Sequence, residues 1–595
     1  MDLDTNDAPV FGTGHRPNAS VWRLLPNRWD FVAFPLLIGL MALLAIAYRE
    51  SVMPIAALET HPVSLDPAEL PWYATLTTLR MLAAMVVSLL FTFCYGTLAA
   101  KSERAGKVLV PLLDILQSVP VLGYVSFTVT FFMALFPGRV LGAELAAVFA
   151  IFTSQAWNMT FSFYQSLRTV PNDLNEVSRS FHLTAWQRFW KLEVPFAMPG
   201  LVWNMMMSMS GAWFFVVASE AITVGDKSFN LPGVGAFLAH AIAQKHLPSI
   251  VWVIITMTMV ILAYDQLLFR PLVAWADKFR MDNTSSGKAP QSWLLDLIRR
   301  TRLIHRLLVP LGRMFSGAAR IPLRLAPGHP SQLAVLRRPA PAAGKRDSRA
   351  GDLAWSAFIV TLVAFALYHV IRYVSTGVSL AEVWDVLLLG GITLLRVMAL
   401  IALASLIWVP IGILVGLRPR LAEKVQPLAQ FLAAFPANLL FPVFVVLIVR
   451  FNLNADIWLS PLIVLGTQWY ILFNVIAGAS AFPNDYREVA ASFHIRGWQW
   501  WRKLMLPGIF PYYITGAIAA SGGAWNASIV SEAVQWGDTH ITAHGLGAYI
   551  AQATVDGDFP RLILGIAVMS LFVTLFSRLV WRPLYAYAEA QLRLS

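Results

Sequence analysis

The chain repeats itself at a distance of 312 residues. Pro171-Asn172-Asp173 returns as Pro483-Asn484-Asp485, Phe181-His182 as Phe493-His494, Gly211-Ala212-Trp213 as Gly523-Ala524-Trp525, Ser219-Glu220-Ala221 as Ser531-Glu532-Ala533, and Arg270-Pro271-Leu272 as Arg582-Pro583-Leu584. Further upstream the spacing is 316, as for Leu79-Arg80 with Leu395-Arg396, Pro111 with Pro427 and Pro120 with Pro436. A four-residue length difference between Pro137 and Glu144 accounts for the change. Any fold for this chain must therefore be built twice.

What is repeated is a set of apolar segments. They lie at about 31–48, 73–98, 108–135, 143–166, 196–219 and 249–272, then at 354–374, 386–415, 425–449, 459–478, 508–530 and 561–581. Hydrophobic residues make up 57% of the chain and charged residues 13%, too few charges to cover a soluble protein of 595 residues. The expected fold is all-α and polytopic: twelve spans in two parallel six-helix repeats, related by an axis along the membrane normal. Met1 to Asp30 is polar and unlike a cleaved signal, so 31–48 is expected to remain as a span. The divisions are a tail (1–30), a first transmembrane domain (31–280), a linker (281–350) and a second transmembrane domain (351–595).

Charge gives the orientation. Lys101, Arg104 and Lys107 follow the second span, and Arg418, Arg420 and Lys424 follow the eighth. The alternate loops carry Glu50, Glu59, Asp66, Glu69, Asp556 and Asp558. Both termini and the linker are then expected in the cytoplasm. The linker holds 13 Lys or Arg against 3 acids, so it carries +10 of the chain's +12. Such a concentrated basic segment between apolar blocks points to an anionic lipid surface and away from nucleic acid. Within it, Trp293 to Phe315 separates leucines from arginines as a helix lying on a leaflet would, whereas Pro327 to Arg349 suits a spacer. One cysteine, Cys94, excludes a disulfide framework. No His–carboxylate cluster has metal-ligand spacing, no nucleophile–base set is evident, and no phosphate loop of the Gly-x-x-x-x-Gly-Lys type occurs. Enzyme chemistry is not expected in this chain.

Between the fourth and fifth spans of each half lies a helical loop. One runs from Pro171 through Glu176 and His182 to Pro195, the other from Pro483 through Glu488 and His494 to Pro507. These loops resemble the Glu-Ala-Ala coupling loop of ATP-binding-cassette importer permeases. Glu176 and Glu488 fall on its Glu, Leu192 and Leu504 on its aliphatic position, and Pro195 and Pro507 on its Pro. His182 and His494 replace its Gly, a position that suits a positive-φ turn. The stretch Phe435-Pro436-Ala437-Asn438-Leu439-Leu440-Phe441-Pro442, with Ser219-Glu220-Ala221 to Gly233-Val234-Gly235 and its copy Ser531-Glu532-Ala533 to Gly545-Leu546-Gly547, narrows the resemblance to the nitrate/bicarbonate/taurine/sulfonate type in duplicated, single-chain form.

The resemblance implies a permease in a bacterial inner membrane that moves a small oxyanion or organic anion inward. ATP and Mg would be bound by a separate cytoplasmic ATPase, two copies per permease, one under each coupling loop. A periplasmic substrate-binding protein is left open, as is the reading of the chain as a secondary transporter driven by an ion gradient. Arg80, Glu220, Arg396 and Glu532 are ionisable, repeated and deep in spans. They are either one structural pair per half or contacts for an anion. Trp213 and Trp525 lie on the spans that face the pathway in resembling permeases, and are candidates to line it.

Overall fold

The computed structural model describes residues 63–279 except 225–226, residues 292–301 and 349–591, and scattered positions in 35–54 and 310–321. The tail 1–30, most of the first expected span and most of the linker lie outside the described residues.

The first half runs α1 (Leu70–Lys101), α2 (Glu103–Ser118), α3 (Val121–Leu135), α4 (Val140–Arg168), α5 (Asn172–Ser180), α6 (Val194–Ser219), a hairpin of β1 (Ala221–Val224) and β2 (Lys227–Asn230), α7 (Val234–Ala243), α8 (Leu247–Tyr264) and α9 (Arg270–Ala276). Linker helix α10 (Trp293–Arg300) packs against α9 and buries Leu297. The expected surface helix begins here, but 302–309 lie outside the described residues. The second half follows as α11 (Arg349–Val374), α12 (Leu380–Gly416), α13 (Pro419–Ala434), α14 (Phe441–Arg450), α15 (Ser460–Leu465), α16 (Gln468–Ser480), α17 (Asn484–Ser492), α18 (Leu506–Ser531), β3 (Ala533–Trp536), β4 (Thr539–Thr542), α19 (Leu546–Asp556), α20 (Phe559–Phe576) and α21 (Arg582–Gln591).

Eight of the described helices are long and apolar enough to cross a membrane. Two bent pairs, Pro419–Ala434 with Ala437–Arg450 at 70° and Ala455–Leu465 with Gln468–Ser480 at 42°, bring the number to ten. Of the twelve expected spans, 31–48 is mostly outside the described residues. The stretch expected as one span at 108–135 is two helices, because Pro120 holds φ −63° and ψ 122° and caps the second of them. Pro436 does the same in the second half, with Phe435 forced to ψ 125° ahead of it. These breaks let the third element of each half reach across to the other: α3 packs on α18, α19 and α20, while α13 packs on α6 and α8.

Two features depart from a plain helical bundle. The antiparallel hairpins β1–β2 and β3–β4 follow Glu220 and Glu532, where β-branched Ile222, Thr223, Val224, Val534, Ile541 and Thr542 favour extended backbone. Four wide π-helical turns also occur in two matched pairs, Phe189–Glu193 with Trp501–Met505 and Asp265–Phe269 with Ser577–Trp581. Each ends two residues before a proline (Pro195, Pro507, Pro271, Pro583). A proline has no N–H to return to the preceding turn, and the helix widens there.

Candidate functional site: two coupling loops, two buried clasps and a cavity between the halves

Helices α5 and α17 start at Pro171 and Pro483 and are nine residues long. Each leaves through a Schellman turn. Leu183 N–H donates to Ser178 O (3.1 Å) and His182 N–H to Arg179 O (2.9 Å). Ile495 and His494 repeat this on Ala490 (2.9 Å) and Ala491 (3.1 Å). His182 and His494 occupy the left-handed position of these turns, with φ 49° and 54°, so the geometry expected of a glycine is kept. The inner face of each helix is sealed by Ser178 or Ala490. The outer face exposes an apolar pair one turn apart, Val177 with Phe181 (74% exposed) and Val489 with Phe493 (75% exposed). Glu176 and Glu488 are exposed beside these pairs, and Pro195 and Pro507 open α6 and α18. In the first half, Glu193 is buried between Lys101 (2.8 Å) and Arg188 (3.0 Å). The second half has buried Met505 at the matching place.

A left-handed residue other than glycine costs about 1–2 kcal/mol. His182→Gly and His494→Gly are therefore expected to raise the thermal midpoint of the purified permease slightly, and His182→Val to lower it. A fall for both glycine variants would show that the imidazoles make contacts worth more than the strain.

At the opposite end of the bundle, Arg80 is enclosed by acids. Its Nε and Nη2 donate to both oxygens of Glu144 (2.7 Å each), and Nη1 donates to Glu220 Oε1 (2.7 Å) and Pro232 O (2.9 Å). Glu220 is 0% exposed and also accepts from Thr77 Oγ1 and Gly235 N–H, each at 2.7 Å. The second clasp is built alike. Arg396 donates to Glu532 Oε1 (2.6 Å) and His544 O (3.1 Å), and Glu532 accepts from Thr393 Oγ1 (3.1 Å) and Gly547 N–H (2.7 Å). Asp456, 3.6 Å from Arg396, stands where Glu144 stands in the first half. Each clasp ties α1 or α12 to the end of α6 or α18 and to the start of α7 or α19. The glycines of Gly233-Val234-Gly235 and Gly545-Leu546-Gly547 permit it, because a Cβ on Gly235 would meet Val217 O and one on Gly545 would meet the Glu532 carboxylate. Arg80 pairs with Glu220 and Arg396 with Glu532, each within its own half, and the acceptors of each clasp come from the protein itself. The third acid escaped notice in the sequence, although Glu144 and Asp456 sit at the repeat distance.

Between the halves lies a cavity of about 60 Å³ bordered by Gly211 and Phe214 of α6, Gly523 and Asn526 of α18, and Phe435 and Tyr470. Asn526 Oδ1 accepts from Val121 N–H (2.7 Å), and Asn438 Nδ2 donates to Phe214 O (3.2 Å), so both halves close it with hydrogen bonds. The groups lining it carry no formal charge. Trp213 and Trp525, expected to line a pathway, do not border this cavity. Two residues on from Gly211 and Gly523 is more than half a helical turn away, and both tryptophans are 1% exposed.

Residues 92–269 and 408–582 each match the family described as "Binding-protein-dependent transport system inner membrane component", and together they cover more than half of the chain. Among curated relatives, the bicarbonate transport system permease protein of Synechococcus elongatus is 30% identical over 188 residues, 32% of this chain and 64% of that protein. The nitrate import permease protein of Leptolyngbya laminosa is 26% identical over 208 residues, 35% of this chain and 70% of that protein. The glycine betaine/proline betaine transport system permease protein of Escherichia coli is 30% identical over 166 residues, 28% of this chain and 45% of that protein. The chain thus spans less than two thirds of the bicarbonate relative's length. A multi-pass helical membrane protein whose repeated halves both match one family is a member of it: this chain belongs to the binding-protein-dependent transport system inner membrane components, with the family's domain present twice.

Proposed function

We propose that the chain carries both transmembrane halves of an ATP-binding-cassette importer, with 31–280 and 351–595 as its two domains and 281–350 joining them. The observation that carries this reading is the pair of matched loop helices at one end of the bundle. Each presents an exposed Val–Phe pair and a carboxylate on a turn fixed by its Schellman geometry. An exposed apolar pair on a short helix suits the groove of a partner. The partner proposed is a cytoplasmic ATPase in two copies, which supplies ATP and Mg. The loop end then faces the cytoplasm of a bacterial cell, as the basic loops require, and a substrate-binding protein delivers solute at the hairpin end. The solute proposed is a small oxyanion, the class named for the bicarbonate and nitrate relatives. Uncharged donors such as the Tyr470 hydroxyl suit transient contact better than a fixed cation, which would hold an anion too long to release it.

The test is reconstitution of the permease with its ATPase in liposomes. Glu176→Ala combined with Glu488→Ala is expected to lower ATP-driven uptake by about tenfold or more while the permease still elutes as a single species. Uptake that follows an imposed proton gradient and needs no ATPase would replace this reading with a secondary transporter.

A further inference from the structure

A second cavity, about 440 Å³, lies off the axis between the halves, against α6, the π-turn before α9, and α13 of the other half. That volume falls in the range of small-ligand sites. Its walls are apolar: Trp203, Met206, Met209 and Trp213 on one side, Pro427 and Phe431 on the other. Ser210, Gln266 and Gln430 also border it, each already hydrogen-bonded to a protein neighbour, and two further polar features interrupt the walls. Tyr264, at the wall, is 7% exposed and its hydroxyl has no hydrogen-bond partner. A buried hydroxyl left unpaired is costly, so its presence points to an occupant with an acceptor. At the rim, toward the loop end, Asp265 and Arg270 form a half-exposed pair (Asp265 Oδ2 to Arg270 Nε, 3.3 Å). This pair engages Arg270 through Nε, and the arginine side chain is 51% exposed.

We infer that this cavity is a site for one acyl chain of a zwitterionic glycerophospholipid of the ethanolamine class, drawn from the leaflet at the loop end. The phosphate sits on the Arg270 guanidinium and the ammonium on Asp265, while the ester carbonyl accepts from Tyr264. Met206 and Met209 are unbranched and adapt to a flexible chain. A wholly anionic headgroup would meet the Asp265 carboxylate, which is why the zwitterion is favoured. The groups proposed to bind the headgroup and ester, Tyr264, Asp265 and Arg270, belong to the first half. The matching second-half positions are Phe576, Ser577 and Arg578 in place of Tyr264, Asp265 and Gln266, and Ile518 and Ser521 in place of Met206 and Met209.

The test uses the full chain in nanodiscs of phosphatidylethanolamine and phosphatidylglycerol, with trace phosphatidylethanolamine bearing a photoreactive group in its acyl chain. Label is expected on Trp203–Trp213 and Pro427–Ala434 at about tenfold the level on the matched stretch Thr515–Trp525. Met209→Trp, which fills the cavity, should bring it to that background. Arg270→Gln, at the exposed rim, should lower it, and Asp265→Asn should equalise ethanolamine and glycerol probes. Should Met209→Trp not fold, Arg270→Gln decides alone. Equal labelling of both halves, or labelling indifferent to these variants, overturns the assignment. Displacement of the label by nitrate or bicarbonate would do so too, by making the cavity part of the solute route.

Discussion

Arg80→Gln is expected to destabilise the first half to the point where the permease no longer purifies as a single species. The guanidinium satisfies both oxygens of Glu144 and one of Glu220, and Glu220 is completely enclosed. Glutamine is too short to span these partners and carries no charge, so it leaves a buried carboxylate without its cation. Breaking one member of a buried pair costs about 3–5 kcal/mol, a large part of the stability of a typical domain. Arg396→Gln should cost less. Its second acid, Asp456, is 40% exposed and already accepts from His544 N–H at 2.6 Å. Arg80→Lys keeps the charge but loses the forked donor set, and should fall between wild type and Arg80→Gln. Size-exclusion profiles and thermal midpoints in one mild detergent would rank the variants. If Arg80→Gln ran like wild type but failed to transport, the arginine would be acting on the solute and the structural reading would be lost.

The second large effect is expected from a single methyl group. In Gly547→Ala the new Cβ would meet the carbonyl oxygen of Ser528 and crowd Oε2 of Glu532. The first of these is helix backbone and cannot swing aside. Overpacking alone costs about 1–3 kcal/mol, and the shift it forces would also stretch the 2.7 Å bond from Gly547 N–H to Glu532. Gly391→Ala is the control. It lies in α12 with open space around it, and replacing glycine inside a helix is worth roughly 0.5–1 kcal/mol in favour of alanine. The two alanines should move the thermal midpoint in opposite directions, and a shared sign would refute the packing argument.

Much of this molecule can be read in its residues, and what can be read is what repeats. The spans follow from apolar length, the loop helices from Pro171 and Pro483, and the left-handed turns from the position that His182 and His494 take. The Arg80–Glu220 and Arg396–Glu532 pairs also follow, as charges too deep to stand alone. The orientation of side chains around each span does not. Helix α6 is mostly apolar on every side, so no amphipathic stripe tells which face meets the other half; Gly211 borders the smaller cavity and Trp213 the larger. The breaks at Pro120 and Pro436 are marked by proline, but how far each segment then leans onto the other half depends on packing between distant parts of the chain. The hairpins are four residues a strand, too short for alternation to stand out beside the long apolar runs.

The four π-turns have a mechanical consequence. Each holds one residue more than the α-helical path requires, so the helix on either side is joined through a loop of slack. Drawing that slack into the regular helix turns the segment below it by about 100° and advances it by about 1.5 Å. Two of the turns lead from the short helices Ala185–Arg188 and Trp498–Trp500 into α6 and α18, and the other two lie in the last spans, each in the same place in both copies. A torque applied at the loop end can therefore be taken up as a stepwise twist at fixed, paired positions, while the clasps hold the far ends still.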